Sequence, residues 1–255
     1  MKIAIIQTDI VWADPAANLQ KADIAIASNP GADLYLLPEM FSTGFCTDPE
    51  GIAESECGIA LQWMKWRASE IDAAIAGSVA VHENGRYCNR FYFVKPDGTI
   101  TYSDKKHLFS YGGENLRFTP GNERVVVEFR DVRFLLEVFY DLRFPVWSRN
   151  IGNEYDVLLN VANFPQPRVN VIEPLCRARA IENISYMLFA NRSGCDPQCK
   201  YVPSSFAFDF KGNNIGNEEY ISGIQIINAD IDIDSLRIFR EKFPAWMDAD
   251  DFNLL

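Results

Sequence analysis

The feature that most constrains this chain is a series of short, almost uninterrupted apolar runs: "KIAIIQ", "DLYLLPE", "AAIAGSVAV", "RFLLEVFY", "DVLLNVAN" and "YMLFANRSG". A strand with one wetted face alternates apolar and polar residues, so a near-continuous run must be covered on both faces. Between the runs, "NLQKADIAIAS", "GIALQWMKWRASEI" and "EPLCRARAIENIS" place apolar residues at three- and four-residue spacing, the last with Pro174 in its first turn. That is the pattern of amphipathic helices, and the alternation predicts a layered α/β fold. "RYCNRFYFVKPDGTITYSDKKHLF" alternates around Pro96-Asp97-Gly98, which predicts a hairpin, and "SSFAFDFKGNNIG" repeats the pattern. Two hairpins among buried strands imply a mixed sheet in each of two stacked layers. No repeat, low-complexity tract or linker divides the sequence, so residues 1–255 are read as one domain.

Charge narrows the partners. The formal net charge of -11 opposes binding to phosphate backbones and to anionic membranes, so no nucleic acid and no membrane is expected. No apolar run approaches the roughly 20 residues of a membrane span, and "MKIAIIQTDIVW" reads as a first strand rather than a signal peptide, which predicts a cytoplasmic protein. Six scattered cysteines, Cys46, Cys57, Cys88, Cys176, Cys195 and Cys199, read mainly as buried reduced thiols.

Open α/β sheets carry their ligand sites at strand ends, and polar groups collect at four such ends here. They are Glu39 in "LLPEMFSTGF", Lys105 in "SDKKHLF", the turn at Phe139 in "VFYDLRFPVW" and Asn163 in "NVANFPQPR". Glu114 joins them from the glycine-flanked "YGGEN". The turn at Phe139 is the anomaly, because phenylalanine can neither attack, donate nor accept.

Taken in order, "LLPEMFSTGF", "DKKHLF", "YDLRFPVWSRN", "ANFPQPR", "RARAIEN" and "ANRSG" resemble the nitrilase superfamily of carbon–nitrogen hydrolases along essentially the whole chain. The ending "REKFPAWMDADDF" is similar to the omega-amidase branch, which cleaves small dicarboxylate monoamides. The resemblance implies a four-layer α-β-β-α sandwich, a homodimer or larger homo-oligomer, a small-molecule amide substrate or analogue, and no metal or organic cofactor. It also implies a Glu-Lys-Cys triad in which Glu39 is the general base, Lys105 stabilises the oxyanion and Glu114 orients the lysine or substrate. The backbone N–H of Tyr140 would be the second oxyanion donor. Lys106, its neighbour in a strand, is expected on the opposite side from Lys105.

The cysteine of that triad belongs immediately before "YDLRFP", where this chain has Phe139. Loss of a covalent nucleophile removes on the order of 10⁴ to 10⁶ in rate. The chain as written is therefore expected to be strongly impaired or inactive, with the ring filling substrate space. Three further departures fall in segments expected to border the pocket: Phe164 where relatives often carry tryptophan, Phe189 where a small residue is usual, and "YVPSS" without a loop glycine. Asn163, Phe164 and Phe189 are the expected substrate-binding positions. The alternative function is a non-catalytic binding or assembly protein on the same scaffold; a metal-dependent phosphoesterase lacks the clustered His and Asp ligands it needs.

Blander readings apply to other residues. Asp141 and Arg143 are expected to form a structural pair behind the turn, and Arg177 and Arg179 to make helix-surface or interface salt bridges. Cys195 and Cys199 in "CDPQCK" invite a metal, but the only histidines are His82 and His107. Cys195, near the expected pocket rim, is a candidate substitute thiol. The apolar ending "FPAWMDADDFNLL" is a candidate for packing on a neighbouring subunit.

Overall fold

The computed structural model describes residues 1–250 and Phe252. The chain first builds most of one sheet from β1 (Lys2–Gln7), β2 (Leu34–Leu36), the short β3 (Glu54–Ser55), β4 (Ala74–Glu83), β5 (Arg86–Val94) and β6 (Ile100–Asp104). It then crosses to a second sheet made of β7 (Val126–Phe129), β8 (Val132–Val138), β9 (Val157–Val161), β10 (Tyr186–Ala190) and, beyond a two-stranded ribbon of β11 (Gly194–Cys195) and β12 (Lys200–Tyr201), β13 (Phe206–Phe208). It returns through β14 (Asn217–Ile221) and β15 (Ile224–Asp230) to the far side of β1. The first sheet has eight strands, ordered β14-β15-β1-β2-β4-β5-β6 with β3 beside β4; the second has five, ordered β13-β10-β9-β8-β7. Both are mixed: β1-β2, β2-β4, β3-β4, β8-β9 and β9-β10 are parallel and the other pairs antiparallel.

The period of two explains the layering. Ile3, Ile5, Leu34, Leu36, Phe91 and Phe93 point to the second sheet and pack with Phe134, Leu136 and Leu159. Their neighbours Ala4, Ile6, Tyr35, Leu37, Tyr92 and Val94 point the other way, onto α1 (Pro15–Ser28) and α2 (Ile59–Ile71). On the outer face of the second sheet lie α3 (Ile172–Asn183) and α4 (Ile233–Lys242), with Ile172, Cys176, Ala180 and Leu236 buried. The result is the α-β-β-α sandwich, and the continuous apolar runs are the strands sealed on both faces.

Boundaries shift where capping chemistry decides them. Helix α1 starts three residues before the expected "NLQ", because the Asp14 carboxylate accepts from Ala17 N at 3.0 Å and Pro15 suits the first turn. The first predicted hairpin forms as β5-β6. The second forms only briefly: Asp209–Gly212 make the turn, Asp209 N and Ile215 N donate to Asn213 O and Ala207 O at 2.9 Å on either side of the Phe208–Asn214 bridge, and the chain then leaves for β14 in the other sheet. No helix of the described residues is long and apolar enough to cross a membrane. The C-terminal stretch considered for a subunit contact runs into Asp251 and residues 253–255, outside the described residues; Trp246, Met247 and Phe252 face Arg149–Gly152 of the same chain across a cavity of about 330 Å³.

Candidate active site

Four strands deliver their ends to one point. Glu39 follows β2, where Met40 adopts a left-handed backbone (φ 44°) and its N–H donates to Ser78 Oγ at 2.9 Å. Lys105 follows β6, its N–H bonded to Asn89 O at 2.9 Å. Glu114 arrives on a short 3₁₀ turn after Gly113, whose φ is 79°. A side chain on the preceding Gly112 would meet the Phe109 ring at 2.7 Å, so the glycine pair lets this loop close over the sheets.

The three ionisable side chains form one buried network. Lys105 Nζ donates to Glu39 Oε1 at 2.9 Å and lies 2.9 Å from Glu114 Oε2. Asn89 Nδ2 donates to Glu39 Oε1 at 2.7 Å and to Glu114 Oε1 at 3.2 Å, while its Oδ1 accepts from Ser78 Oγ at 2.8 Å. Backbone N–H groups complete the acceptors: Asn163 N donates to Glu39 Oε2 at 2.9 Å and Phe109 N to Glu114 Oε2 at 2.6 Å. Burial pushes the Glu39 carboxyl above the usual range, and the Glu114 charge adds to this against the opposing pull of Lys105. Burial pulls the Lys105 ammonium toward losing its proton, but Glu114 and Glu39 together outweigh it and hold its pKa above the ordinary lysine value. The cluster is thus a fixed positive charge between two carboxylates, one of them poised to take a proton.

Phe139 closes β8 with φ 40°, a conformation that costs a non-glycine residue about 1 to 2 kcal/mol. The turn is held by Asp141, whose Oδ2 accepts from Val138 N at 3.0 Å and whose Oδ1 accepts from His107 N at 2.9 Å. His107 in turn stacks on Phe144, ring centres 3.7 Å apart. The Phe139 ring is 3% exposed and packs edge-on against Phe109 at 5.3 Å and Phe164 at 5.1 Å, with Lys105 Nζ 4.9 Å from its centre.

Outside this ring lies a cleft of two chambers, about 350 and 320 Å³, which share Phe109, Tyr111, Phe139 and Arg168. Asn163 lines the larger and Phe164 the smaller, whereas Glu39, Lys105 and Glu114 line neither.

Several expectations need correction. Phe189 does not line the cleft: it is fully buried on β10 behind Phe164, ring centres 6.4 Å apart. The Tyr140 ring, and not its backbone alone, reaches the cleft: residues 139–143 form a 3₁₀ turn rather than continuing the strand, and the ring lines the smaller chamber beside Phe139. Arg143 makes no pair with Asp141, which is taken by His107, and its guanidinium instead stands over the Phe164 ring at 6.0 Å on the chamber wall. Cys195 lines neither chamber, and it is Cys199, its thiol pKa raised by burial, that lines the larger one. Among the described residues no group of three or more His, Cys, Asp and Glu side chains is placed to hold a metal ion. Lys106 lies over the Trp147 ring at 5.3 Å, away from Lys105's partners. Arg177 makes the expected helix-surface pair, with Glu173 at 2.7 Å, whereas Arg179 is buried: it pairs with Glu182 at 2.8 Å and donates to Leu142 O at 2.6 Å, so it ties α3 to the turn rather than lying on the helix surface.

Sequence reasoning passed over Asn89, the uncharged side chain that, like Lys105, bonds both glutamates. A signal existed: positions 89, 91 and 93 of β5 share the face toward the second sheet, and an asparagine in that apolar row needs a polar partner inside. Arg168 and the rings of Phe45 and Phe109 carried no such local mark.

This arrangement of strand-end carboxylates and lysine within an α-β-β-α sandwich defines a carbon–nitrogen hydrolase, and the chain belongs to that family: the carbon-nitrogen hydrolase model matches residues 2–241. More particularly, the chain is 42% identical over 255 residues to the omega-amidase YafV of Escherichia coli (strain K12), covering 100% of this chain and 98% of that protein. It is 31% identical to the 2-oxoglutaramate amidase of Bacillus subtilis (strain 168), covering 96% of each. The crystal structure of XC1258 from Xanthomonas campestris, a CN-hydrolase superfamily protein with an arsenic adduct in its active site, matches with TM-score 0.95 at 36% identity, covering 100% of this chain and 99% of that one. Saccharomyces cerevisiae Nit3, of branch 10 of the nitrilase superfamily, shares the fold with TM-score 0.83 at 22% identity, covering 96% and 94%.

Proposed function

We propose that this chain is an omega-amidase-type scaffold for small dicarboxylate monoamides whose hydrolytic site is closed by Phe139. The observation that carries this reading is the position of that ring: it stands on the cleft wall against Lys105, and the Glu39-Lys105-Glu114 network behind it has no exposed surface of consequence.

With a thiol in place of the ring, the chemistry would follow from the geometry. Glu39, its proton affinity raised by burial, takes the thiol proton as sulfur adds to the amide carbon. The new oxyanion meets the Lys105 ammonium and, by the resemblance, the Tyr140 N–H. Glu39 returns the proton to the departing nitrogen, ammonia leaves, and water activated by Glu39 then opens the thioester. With phenylalanine there is no atom to form that bond, so we expect a rate lower by on the order of 10⁴ or more.

The test is ammonia release from 2-oxoglutaramate and succinamate by the chain as written, by Phe139→Cys, and by Phe139→Cys/Glu39→Gln. We expect turnover only in the first variant. Turnover by the unaltered chain would overturn the reading. Assembly as a homodimer or larger homo-oligomer belongs to the same proposal, supported by exposed Ile181, Ile238 and Phe243 on and beside α3 and α4. A second reading, a non-catalytic binding protein, is favoured by the cleft itself, which stays open and carries cations without partners.

A further inference from the structure

We infer that a groove beyond the C-terminal end of α1 binds a free α-amino acid as its zwitterion, one whose side chain ends in a primary amide. None of the groove's residues lines the cleft in front of Phe139, so the inference goes beyond the hydrolytic reading and does not depend on it.

The first observation is space. Helix α1 ends at Ser28, and the chain turns through Pro30 and Gly31 toward β2. Between that turn, the start of β1 and the facing residues of β15 and β14 lies a cavity of about 600 Å³, larger than either chamber of the cleft.

The second is a pair of charges held apart. Lys2 and Asp230 are direct partners across the antiparallel β1-β15 ladder, so their side chains leave the same face of the sheet. Opposite charges in that relation stabilise a sheet by closing on one another. Here, among the described residues, the Lys2 ammonium and the Asp230 carboxylate make no ion pair and no hydrogen bond, and both line the cavity. The nearby Asp33 does not neutralise Lys2: it accepts from the Lys2 backbone N–H at 2.7 Å and pairs with Arg130. An ammonium and a carboxylate rooted about 5 Å apart are the complement of an amino-acid head group, whose carboxylate meets Lys2 and whose ammonium meets Asp230.

The third is a patch of amides. Asn228 lies two residues before Asp230 on the same face of β15, about 7 Å along the strand, and Asn217 is its partner on β14. Asn29, from the cap of α1, reaches over to it: Asn29 Nδ2 donates to Asn228 Oδ1 at 2.8 Å, and Asn228 Nδ2 donates back to Asn29 Oδ1 at 3.4 Å. Each amide has two hydrogens and two lone pairs, so this exchange leaves both residues with a donor and an acceptor to offer. A primary amide answers both. Glutamine, with two methylenes between its α-carbon and its amide, spans from the charged end of the groove to the amide end.

The test is calorimetric titration of the unaltered full chain with L-glutamine, L-leucine, Nα-acetylglutamine and glutaminamide. We expect saturable binding of glutamine below millimolar concentration. The other three lack in turn the amide, the ammonium and the carboxylate, and each should bind at least tenfold more weakly. Lys2→Gln and Asp230→Asn should each weaken glutamine at least tenfold with an unchanged melting temperature, because neither side chain makes a bond that folding needs. Absence of binding to the unaltered chain, leucine or either blocked derivative binding as tightly as glutamine, or glutamine binding unchanged in both variants would overturn the inference.

Discussion

Two residues before Phe139, on the same strand, Glu137 is 1% exposed and neither of its carboxylate oxygens has a well-formed hydrogen bond. Burial, reinforced by the Asp141 charge, pushes its pKa up to about 8 from an ordinary 4.5, against the weaker pull of the Ser148 hydroxyl and the Arg179 and Arg124 guanidiniums. A carboxyl that folding makes harder to ionise stabilises the native state fully below pH 4.5, and that contribution is lost as the pH rises to about 8. At about 1.4 kcal/mol per tenfold step, the loss is at most about 5 kcal/mol. Glu137→Gln keeps the shape and removes the titration. Urea unfolding of both proteins from pH 3.5 to pH 9 should show the variant gaining on the parent between about pH 4.5 and pH 8, with a midpoint difference that grows by about 1 to 2 M and levels off on either side. Glu39, whose carboxyl is also raised, titrates in both proteins and drops out of the difference. A stability difference independent of pH between 5 and 8 would mean that Glu137 is ionised throughout, and the argument from burial would fail.

Two further outcomes follow from the buried networks. Asn89→Ala, made in the Phe139→Cys background, withdraws one donor from each glutamate and leaves the Ser78 hydroxyl without its acceptor. Glu39 should then hold its proton still more tightly, so the acidic limb of the pH–rate profile moves upward and kcat falls about tenfold to a hundredfold, whereas an unchanged profile would remove Asn89 from the positioning of Glu39. Asp156→Ala strips the buried Arg240 guanidinium of the carboxylate it bonds at 2.7 Å and releases Arg133 at 2.8 Å, so α4 loses its anchor. The expected cost is about 3 to 5 kcal/mol in urea unfolding, and a loss under 1 kcal/mol would show that the Ile184 and Tyr155 carbonyls alone hold Arg240.

Much of the architecture was written in burial periodicity. Each continuous apolar run became a strand covered on both faces, because Ile3 and Ile5 serve one interface while Ala4 and Ile6 serve the other. Helix α4 was legible but overlooked: Asp232 caps it by accepting from Ser235 N at 3.0 Å, and Leu236, Phe239 and Arg240 fall on one inward stripe. The second hairpin stays short because a turn at Asp209–Gly212 fixes only local direction, while β14 found a longer partner in β15. At the site, the strand-end residues could be read one by one. Arg143 and Arg168 could not, since their meeting on one cleft wall is a property of the folded surface. Phe189 misled because bulk in a strand says nothing about which ring stands in front of it.

The persistence of the Glu39-Lys105-Glu114 network beside a phenylalanine has its own physical logic. Each member is buried with its charge balanced by the others, so removing either carboxylate leaves Lys105 short of a partner in a dry interior, and removing the lysine sets two carboxylates against each other. Such substitutions cost several kcal/mol before catalysis is considered. Position 139 is different. It lies on the cleft wall, makes no polar bond through its side chain, and tolerates a ring because Phe45, Phe109 and Phe164 already offer edges and faces to pack against. On the proposed reading, replacement of the nucleophile is thus a way to silence this site that the fold survives, and the ring that closes the catalytic side is the same ring that furnishes a wall for the ligand cleft outside it. On that same reading the polar network holds the interior together whether or not the site hydrolyses, and residue 139 is the place where hydrolysis is lost.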